Sequence, residues 1–312
     1  METGTETEAG GRPARLRVGV VGPGRAGTAL ARALQRAGHQ VTGTTAISQA
    51  SRRRVREHFP DARIGDPGQV IENADLVLLT VPDDVLPGLV QGLVTTQAPL
   101  KGRLLAHASG AHGIRTLEPA LKLGALPLAI HPVMTFTGRD DDVDRIKGVS
   151  FGVTAPDPIR PAAEALVIEM GGEPVFIPEE NRALYHAALA FAANYLVTLV
   201  SQAADLLTKA GADNPNRMLA PLLGAALDNA LRFGDNGLTG PVARGDDGTV
   251  ARHIEAIEQA DPRARHAYLA LARLTADRAL DAGVLKAEDA ERLLDALGDS
   301  GVPGSSGTQG DS

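Results

Sequence analysis

Three glycines near the start of the chain have the spacing and the surroundings of a phosphate-binding turn. Gly22, Gly24 and Gly27 follow an apolar strand pattern over residues 16–21 and precede a helical pattern over residues 26–37. In a G-x-G-x-x-G turn, the first glycine permits the tight bend, the second admits a pyrophosphate, and the third lets the helix pack closely. The helix start would point free N–H groups at that pyrophosphate. The predicted dinucleotide contacts of this turn are Gly22, Pro23, Gly24, Arg25, Ala26 and Gly27.

The residues after the second predicted strand, 40–47, indicate which dinucleotide binds. An NAD site usually places a carboxylate there for the ribose 2′-hydroxyl, whereas an NADP site presents cationic or hydroxyl groups to the 2′-phosphate. Residues 41–55 contain no Asp or Glu, but they include Ser48 and three arginines, Arg52, Arg53 and Arg54. These arginines could be only a solvated helix face. Their position beside the expected phosphate favours NADP(H), with Ser48, Arg52 and Arg53 as contacts.

Further polar groups follow later strands. The carboxyl ends of parallel strands face the ligand crevice of such folds. We therefore expect the end of the strand over 74–81, and the end of the strand over 103–107, to border the cofactor. The residues predicted to do so are Thr80, Val81, Pro82 and His107.

Ser109 and His131 are the predicted catalytic groups at this edge. Ser109 lies in the turn after the strand over 103–107, and His131 follows the strand over 126–130. Histidine is a common general acid, and a hydroxyl can polarise a reacting group. A single histidine is more often a satisfied polar cap, so both interpretations of His131 stay open.

From residue 179 onward the pattern is helical only. A long helix over 180–210 is apolar nearly all round in its first half, so we expect it at the centre of a helical domain or across a subunit interface. We interpret it as a buried helix rather than a membrane span. His186 and Asn194 lie on one stripe of this helix and are candidate substrate contacts, although Asn194 could equally be a structural amide.

The segment 238–254 predicts a compact polar connection between helices. It is rich in glycine and contains Arg244, Asp246 and Thr249. Loops of this kind are often functional. We therefore predict these three residues to be substrate contacts.

Composition narrows the classes of partner. The chain has 312 residues, 43% of them hydrophobic, and a net charge of -7 with a pI near 5.6. This acidic balance argues against nucleic acid and anionic membranes and favours a small-molecule substrate. There are no cysteines, which excludes disulfides, thiolate metal sites and a cysteine nucleophile, and we predict no metal site. The acidic N-terminus is not a signal peptide, so we expect a cytoplasmic protein with disordered tails at 1–15 and 299–312.

Three stretches together resemble a known family: GPGRAG at 22–27, HASGAHG at 107–113 with HPVMTF at 131–136, and LTGPVARGD at 238–246. The chain is similar to bacterial predicted oxidoreductases that join a Rossmann-like domain to a DUF2520 domain. That family is similar in architecture to ketopantoate reductase, pyrroline-5-carboxylate reductase and the 3-hydroxyacid dehydrogenases. Several of these carry a Lys-x-x-x-Asn pair, and here Asn194 matches the asparagine while the lysine position holds Ala190.

The resemblance implies an α/β fold, with a Rossmann-type mostly parallel sheet over 16–178 followed by an all-α domain of the 6-phosphogluconate dehydrogenase C-terminal type over 179–298. It also implies a homodimer formed through the helices. The expected activity is NADP-dependent hydride transfer to or from a small acidic 2-oxo or hydroxy acid, ketopantoate-like. His131 would donate the proton, Ser109 would polarise the reacting group, Asn194 would orient it and Arg244 would bind a carboxylate. The alternatives are a cyclic imine reductase and a regulatory protein that binds NADP(H) without turnover.

Overall fold

The computed structural model of the chain describes residues 15–298. The predicted tails therefore lie outside the described residues, except for Arg15. Arg15 forms an ion pair with Glu169 at 2.8 Å.

An eight-stranded sheet with the order β3-β2-β1-β4-β5-β6-β7-β8 forms the first half of the chain. Its strands are β1 (Arg17–Val21), β2 (Gln40–Thr44), β3 (Arg63–Ile64), β4 (Leu76–Leu79), β5 (Leu104–His107), β6 (Leu126–Pro132), β7 (Ser150–Thr154) and β8 (Glu173–Phe176). All neighbouring pairs are parallel except β6 and β7, which run antiparallel. The prediction of a mostly parallel Rossmann-type sheet is confirmed.

Short apolar strands form this sheet because both of its faces are covered. Val18 and Val20 of β1 are fully buried in one core, and Val77 of β4 is fully buried in the core on the opposite face. The covering helices are α1 (Arg25–Arg36), α2 (Gln49–His58), α3 (Pro67–Glu72), α4 (Leu86–Thr95), α5 (Glu118–Leu121) and α6 (Arg160–Glu169). Ser48 caps α2, its side chain accepting from the Ser51 N–H at 3.1 Å.

The second half is helical, as predicted. Its helices are α7 (Arg182–Lys209), α8 (Pro215–Phe233), α9 (Gly240–Ala243), α10 (Asp247–Ala260), α11 (Pro262–Asp281) and α12 (Ala287–Gly298). The chain divides into two compact units between Ala192 and Ala193, inside α7. In the second unit, α9 to α12 enclose a small core that includes Val250 and Leu293.

The long helix α7 differs from the expectation of a buried central helix. Within the described residues of α7, Arg182 is the only buried residue, and Leu184 and Val197 are 72% and 66% exposed. Over residues 15–298 one helical segment, Glu179–Lys209, is long and apolar enough to cross a membrane, and none of its most apolar window is buried. The apolar composition was taken to indicate burial within the chain, but the elements described over residues 15–298 leave most of α7 exposed. The subunit interface, the other location expected for it, stays a prediction.

The segment 238–254 is more regular than expected. It contains α9 and the start of α10 rather than one continuous loop. Asp246 caps α10 because its side chain accepts from the Thr249 N–H at 3.0 Å. Thr249 and His253 therefore lie on a helix, which the high glycine content of the segment concealed.

Candidate dinucleotide site and the His131 cluster

The glycine turn between β1 and α1 has the geometry that the spacing predicts. Gly22 adopts φ +89°, a left-handed conformation that favours glycine. At Gly27, a Cβ atom would overlap Thr80 Oγ1 and come within 2.8 Å of the Gly22 carbonyl. A side chain at either position would therefore disturb the turn.

Gly24 differs from its two neighbours because it faces open space. A Cβ at Gly24 would meet no atom closer than the Gly22 carbonyl at 3.9 Å. Gly24 is also the N-cap of α1 and has no side chain that bonds the first helical N–H groups. Open space beside free N–H groups at a helix N-terminus suits a phosphate, so the residues present fit a dinucleotide pyrophosphate.

Two threonines hold the turn in place. The Gly22 N–H donates to Thr45 Oγ1 at 3.0 Å, and the Thr80 hydroxyl donates to the Gly22 carbonyl at 2.6 Å. Thr80 was predicted to border the cofactor. In the structure its hydroxyl stabilises the turn by bonding the Gly22 carbonyl. Thr45 was missed, although its place directly after β2 could have indicated it.

The arginines of α2 lie beside this turn at different depths. Arg54, half-buried, donates from Nη1 to the Pro23 carbonyl at 3.0 Å. Arg52 and Arg53 are exposed and line an open surface depression. Arg139 joins Arg53 and Arg54 around a neighbouring depression of about 450 Å³. Arg139 thus lies beside the arginines that the sequence predicted to face a 2′-phosphate, Arg52, Arg53 and Arg54.

His131 lies at the carboxyl end of β6 in a cluster of polar side chains. Its Nδ1 is 2.8 Å from the Tyr185 hydroxyl oxygen, and its ring centroid is 6.3 Å from that of His186. A Cβ at Gly110 would approach His131 Nε2 to 2.9 Å. Burial, and next to it the charge of Arg182, lowers the pKa of His131 to about 4. His131 is therefore neutral at pH 7.

His107 and Ser109 brace the turn that contains Gly110. His107 Nε2 bonds the Gly113 carbonyl at 2.9 Å, and His107 Nδ1 accepts from the Ser109 N–H at 3.2 Å. Burial lowers the pKa of His107 to about 4. Ser109 Oγ accepts from the His112 N–H at 3.1 Å. Since both ring nitrogens of His107 are bonded within the chain, any cofactor contact at this position would come from its backbone.

Arg182 and Tyr185 belong to this cluster, and sequence reasoning missed both. Arg182 is 2% exposed and donates to Thr154 Oγ1 and to the carbonyls of Ala129 and Gly152. Arg182 and Tyr185 lie at the start of α7, whose apolar residues and whose His186 and Asn194 were the features interpreted from the sequence. An arginine within such an apolar run was the signal that could have indicated a buried polar site.

The remaining predicted site residues lie in the second compact unit. Arg244 and Asn194 are exposed there, and the Thr249 hydroxyl accepts from Arg252 at 2.7 Å. Asp246 is engaged as the cap of α10. Inside the first unit His186 lies beside His131, and Ser109 precedes Gly110, which also lies beside His131. The catalytic role of Ser109 and the substrate roles of His186, Asn194, Arg244, Asp246 and Thr249 stay predictions. Across residues 15–298, no three His, Asp or Glu side chains are grouped so that they could hold a metal ion.

Comparison with solved structures finds the same fold in distant relatives. A candidate NADP oxidoreductase from Bacteroides fragilis is 22% identical, with 84% of this chain and 98% of that chain covered and a TM-score of 0.65. A Thermotoga maritima protein is 22% identical over 85% of this chain and 98% of that chain, with a TM-score of 0.66. A reductive aminase from Aspergillus terreus, solved with NADPH and ethyl levulinate, is 18% identical, with 90% of this chain and 99% of that chain covered and a TM-score of 0.61. At these identities the likeness shows the fold.

Family comparison covers most of the chain. Residues 1–132 match the Rossmann-like domain, and residues 149–275 match the domain of unknown function DUF2520. No curated protein sequence matches the chain significantly. The two matches appear in the order that the sequence motifs implied: the chain contains a match to a Rossmann-like domain followed by a match to the DUF2520 domain.

Proposed function

We propose that this protein is an NADP-dependent oxidoreductase that acts on a small organic acid. The observation that carries the proposal is the open space at Gly24, at the start of α1, on the same sheet edge as His131. Two of the structural relatives bear NADP in their descriptions, which supports the same cofactor here. The half-buried Arg54 and the exposed Arg52 and Arg53 supply positive charge for a 2′-phosphate.

The glycine turn and His131 have separate roles in the proposed reaction. When bound, the nicotinamide cofactor supplies or accepts a hydride. The Gly22 to Gly27 turn would hold its pyrophosphate, with Thr45 and Thr80 keeping the turn in shape. His131, neutral and partly buried, would hold or donate the proton at Nε2.

The substrate we favour is a 2-oxo acid of the ketopantoate type, or the matching hydroxy acid. An arginine can bind such a carboxylate through two parallel hydrogen bonds, and Arg244 and Asn194 stay the substrate contacts predicted from the sequence. A proton donor at His131 would serve a C=N bond as well as a C=O bond. Cyclic imines are therefore the second candidate class, and the likeness to a reductive aminase favours testing them.

Two measurements test this function. Fluorescence titration should show that NADPH binds at least tenfold more tightly than NADH, a difference of about 1.4 kcal/mol. An NADPH-oxidation screen with 2-oxo acids and cyclic imines should then find turnover in one class. Tight NADPH binding without turnover of any acceptor would instead favour the regulatory alternative, which the alanine at position 190 already suggests.

We also propose that the protein is a homodimer formed through its helical half. The helices α7 and α8 expose large apolar side chains to solvent, and water-exposed apolar surface of this extent usually marks an interface. The exposed residues on α8 include Met218, Leu222, Leu227, Leu231 and Phe233.

A further inference from the structure

The two ring nitrogens of His131 face different surroundings. Nδ1 is directed at Tyr185, whose hydroxyl oxygen is 2.8 Å away. Nε2 lies beside Gly110, where a Cβ would come within 2.9 Å of Nε2 and 2.7 Å of His186 Cδ2. Gly110 follows β5, which lies between β4 and β6 in the sheet. Nε2 therefore lies at the sheet edge that carries the glycine turn, and within the described residues the hydrogen bond of this ring is made by Nδ1.

The surroundings of Tyr185 determine which way its hydrogen points. Within the described residues, His131 Nδ1 is the hydrogen-bond partner of the Tyr185 hydroxyl, and a Cβ at Gly152 would overlap the phenol oxygen. A buried hydroxyl hydrogen is directed at an available acceptor, which here is the lone pair of Nδ1. A neutral imidazole that accepts at Nδ1 carries its proton on Nε2.

A buried cation lies behind this pair. Arg182 is 2% exposed, none of its hydrogen bonds within the described residues goes to a carboxylate, and its Nη1 has no partner there. Its guanidinium carbon is 5.6 Å from the centroid of the Tyr185 ring. Burial raises the pKa of Tyr185, whereas the positive charge of Arg182 acts in the opposite direction and favours the phenolate. The same charge disfavours a second positive charge on the imidazole of His131.

We propose that Tyr185 and Arg182 form a proton relay behind His131. Tyr185 holds His131 as the Nε2–H tautomer and replaces the proton that Nε2 gives away, while Arg182 stabilises the phenolate that remains. Tyr185 and Arg182 are positioning residues, since they act through His131. The relay deepens the proposed function and rests on it for the identity of the proton acceptor.

Each proton that the relay gives up is replaced. When bound, a reduced nicotinamide would supply the hydride for the carbon of a C=O or C=N group. The oxygen or nitrogen of that group would take the proton from Nε2. The N–H bond at Nε2 breaks as the Tyr185 O–H proton moves to Nδ1, so the imidazole stays neutral. The Tyr185 phenolate then takes one proton from water. A return of the ring to the Nε2–H tautomer completes the cycle.

Side-chain ¹⁵N–¹H NMR of the full chain without any ligand tests the relay directly. In the wild type at pH 7, His131 should have its hydrogen on Nε2. Tyr185→Phe keeps the ring but removes the hydroxyl, and the His131 signals should shift to a mixture of tautomers. Tyr268→Phe is the matched control, because it removes a hydroxyl that bonds another histidine, His253, at 3.1 Å.

The charge of Arg182 is tested by a pair of variants. Arg182→Lys keeps the positive charge, so the pKa of His131 should stay low, whereas Arg182→Met should raise it. The other charged or titratable groups facing His131 are His186, which lowers its pKa, and Asp83, which raises it. If Arg182→Met does not fold, the Tyr185→Phe spectrum decides.

Two outcomes would overturn the relay: a wild-type His131 with its hydrogen on Nδ1, or unchanged His131 signals in Tyr185→Phe. With an acceptor from the NADPH-oxidation screen, Tyr185→Phe should lower kcat roughly tenfold or more while NADPH affinity and KM stay the same. The expected NMR shifts without turnover of any acceptor would reject the proposed oxidoreductase function and leave the tautomer assignment standing. Turnover with unchanged NMR signals would reject the relay alone.

Discussion

The two histidines at neighbouring strand ends have different surroundings. His107 is 1% exposed and bonds backbone groups through both ring nitrogens. His131 is partly exposed, bonds a tyrosine through Nδ1, and has glycine beside Nε2. A nitrogen that is already bonded to a carbonyl has no proton to offer. His107 therefore supports the turn, whereas His131 is the group that could exchange a proton.

The buried neutral His107 predicts a loss of stability in acid. Its pKa is about 4 in the folded chain against 6.5 for the free side chain. Between these two pH values the unfolded chain binds more protons than the folded chain. The contribution of neutral His107 to the stability of the folded chain is therefore complete above pH 6.5 and is lost as the pH falls toward 4. For one such group the free energy of unfolding should fall by about 3 kcal/mol over this window.

His107→Gln isolates this contribution. Glutamine can still donate to the Gly113 carbonyl but does not titrate, so urea unfolding at pH 7 and pH 5 should show a smaller difference than in the wild type. His131→Gln provides the comparison, since His131 has a similarly low pKa. An acid dependence identical to that of the wild type would contradict a neutral buried His107.

At the scale of elements, the turn between β1 and α1 uses its glycines for different purposes. Gly27 lets α1 approach Thr80 at the end of β4, whereas Gly24 leaves open space. A substitution at Gly27 should therefore affect folding, and a substitution at Gly24 should affect only what binds there.

Gly24→Val and Gly27→Val separate these two effects. Gly24 has an extended backbone, which valine adopts, so Gly24→Val should unfold near the wild-type temperature but lose at least tenfold in NADPH affinity. Gly27→Val should lower the free energy of unfolding by roughly 1–3 kcal/mol or more, because its side chain overlaps Thr80. Thermal unfolding measures the stability of each variant, and fluorescence titration measures its affinity for NADPH. Undiminished NADPH affinity in folded Gly24→Val would remove the phosphate site from this turn.

The helix α2 should determine the choice between the two dinucleotides. Removing the charges with Arg52→Gln and Arg53→Gln, and separately with Arg54→Gln, should weaken NADPH binding by roughly tenfold or more, since a charge-assisted hydrogen bond contributes about 1.5–3 kcal/mol. NADH, which lacks the 2′-phosphate, should lose little affinity.

Lys122→Gln is the charge-matched control for these variants, because it removes an exposed positive charge at the end of α5. Its affinity for NADPH should equal that of the wild type. Equal losses for NADPH and NADH in the arginine variants would assign those side chains to the turn itself, through contacts such as that of Arg54 with Pro23.

At the scale of the whole molecule, the apolar side chains of α7 and α8 are exposed to solvent in one chain, and a second copy of the chain would bury them. Leu222 and Leu231 on α8 are 65% and 80% exposed. If they lie in a dimer interface, Leu222→Asp together with Leu231→Asp should place charges in an apolar contact and shift the protein to monomers.

Light scattering after size-exclusion chromatography measures this shift. Leu121→Asp is the control, since Leu121 is a 43% exposed leucine on α5, away from α7 and α8 in sequence. The wild type and Leu121→Asp should have the mass of two chains, and the α8 variant that of one. A monomeric wild type would contradict the dimer.

The sequence by itself determined the elements whose pattern is local. The strand, glycine turn, helix and second strand from Arg17 to Thr44 follow from apolar runs and glycine spacing. The residue types that commonly cap helices stand directly before three helices: Ser48 before α2, Asn214 before α8 and Asp261 before α11. These features depend on residues within one or two turns of each other. Neighbouring side chains and backbone groups are enough to specify them.

Only the tertiary structure decided how the His131 cluster is assembled. His131 and Tyr185 are 54 positions apart, and Tyr185 reaches His131 because β7 pairs antiparallel with β6 and places Gly152 opposite His131. Burial of Arg182 depends on carbonyls from two strands and a hydroxyl from β7. The exposure of α7 likewise depends on which elements cover it. A periodic pattern states that a face is apolar but not which surface packs against it, because packing joins residues that are distant in sequence.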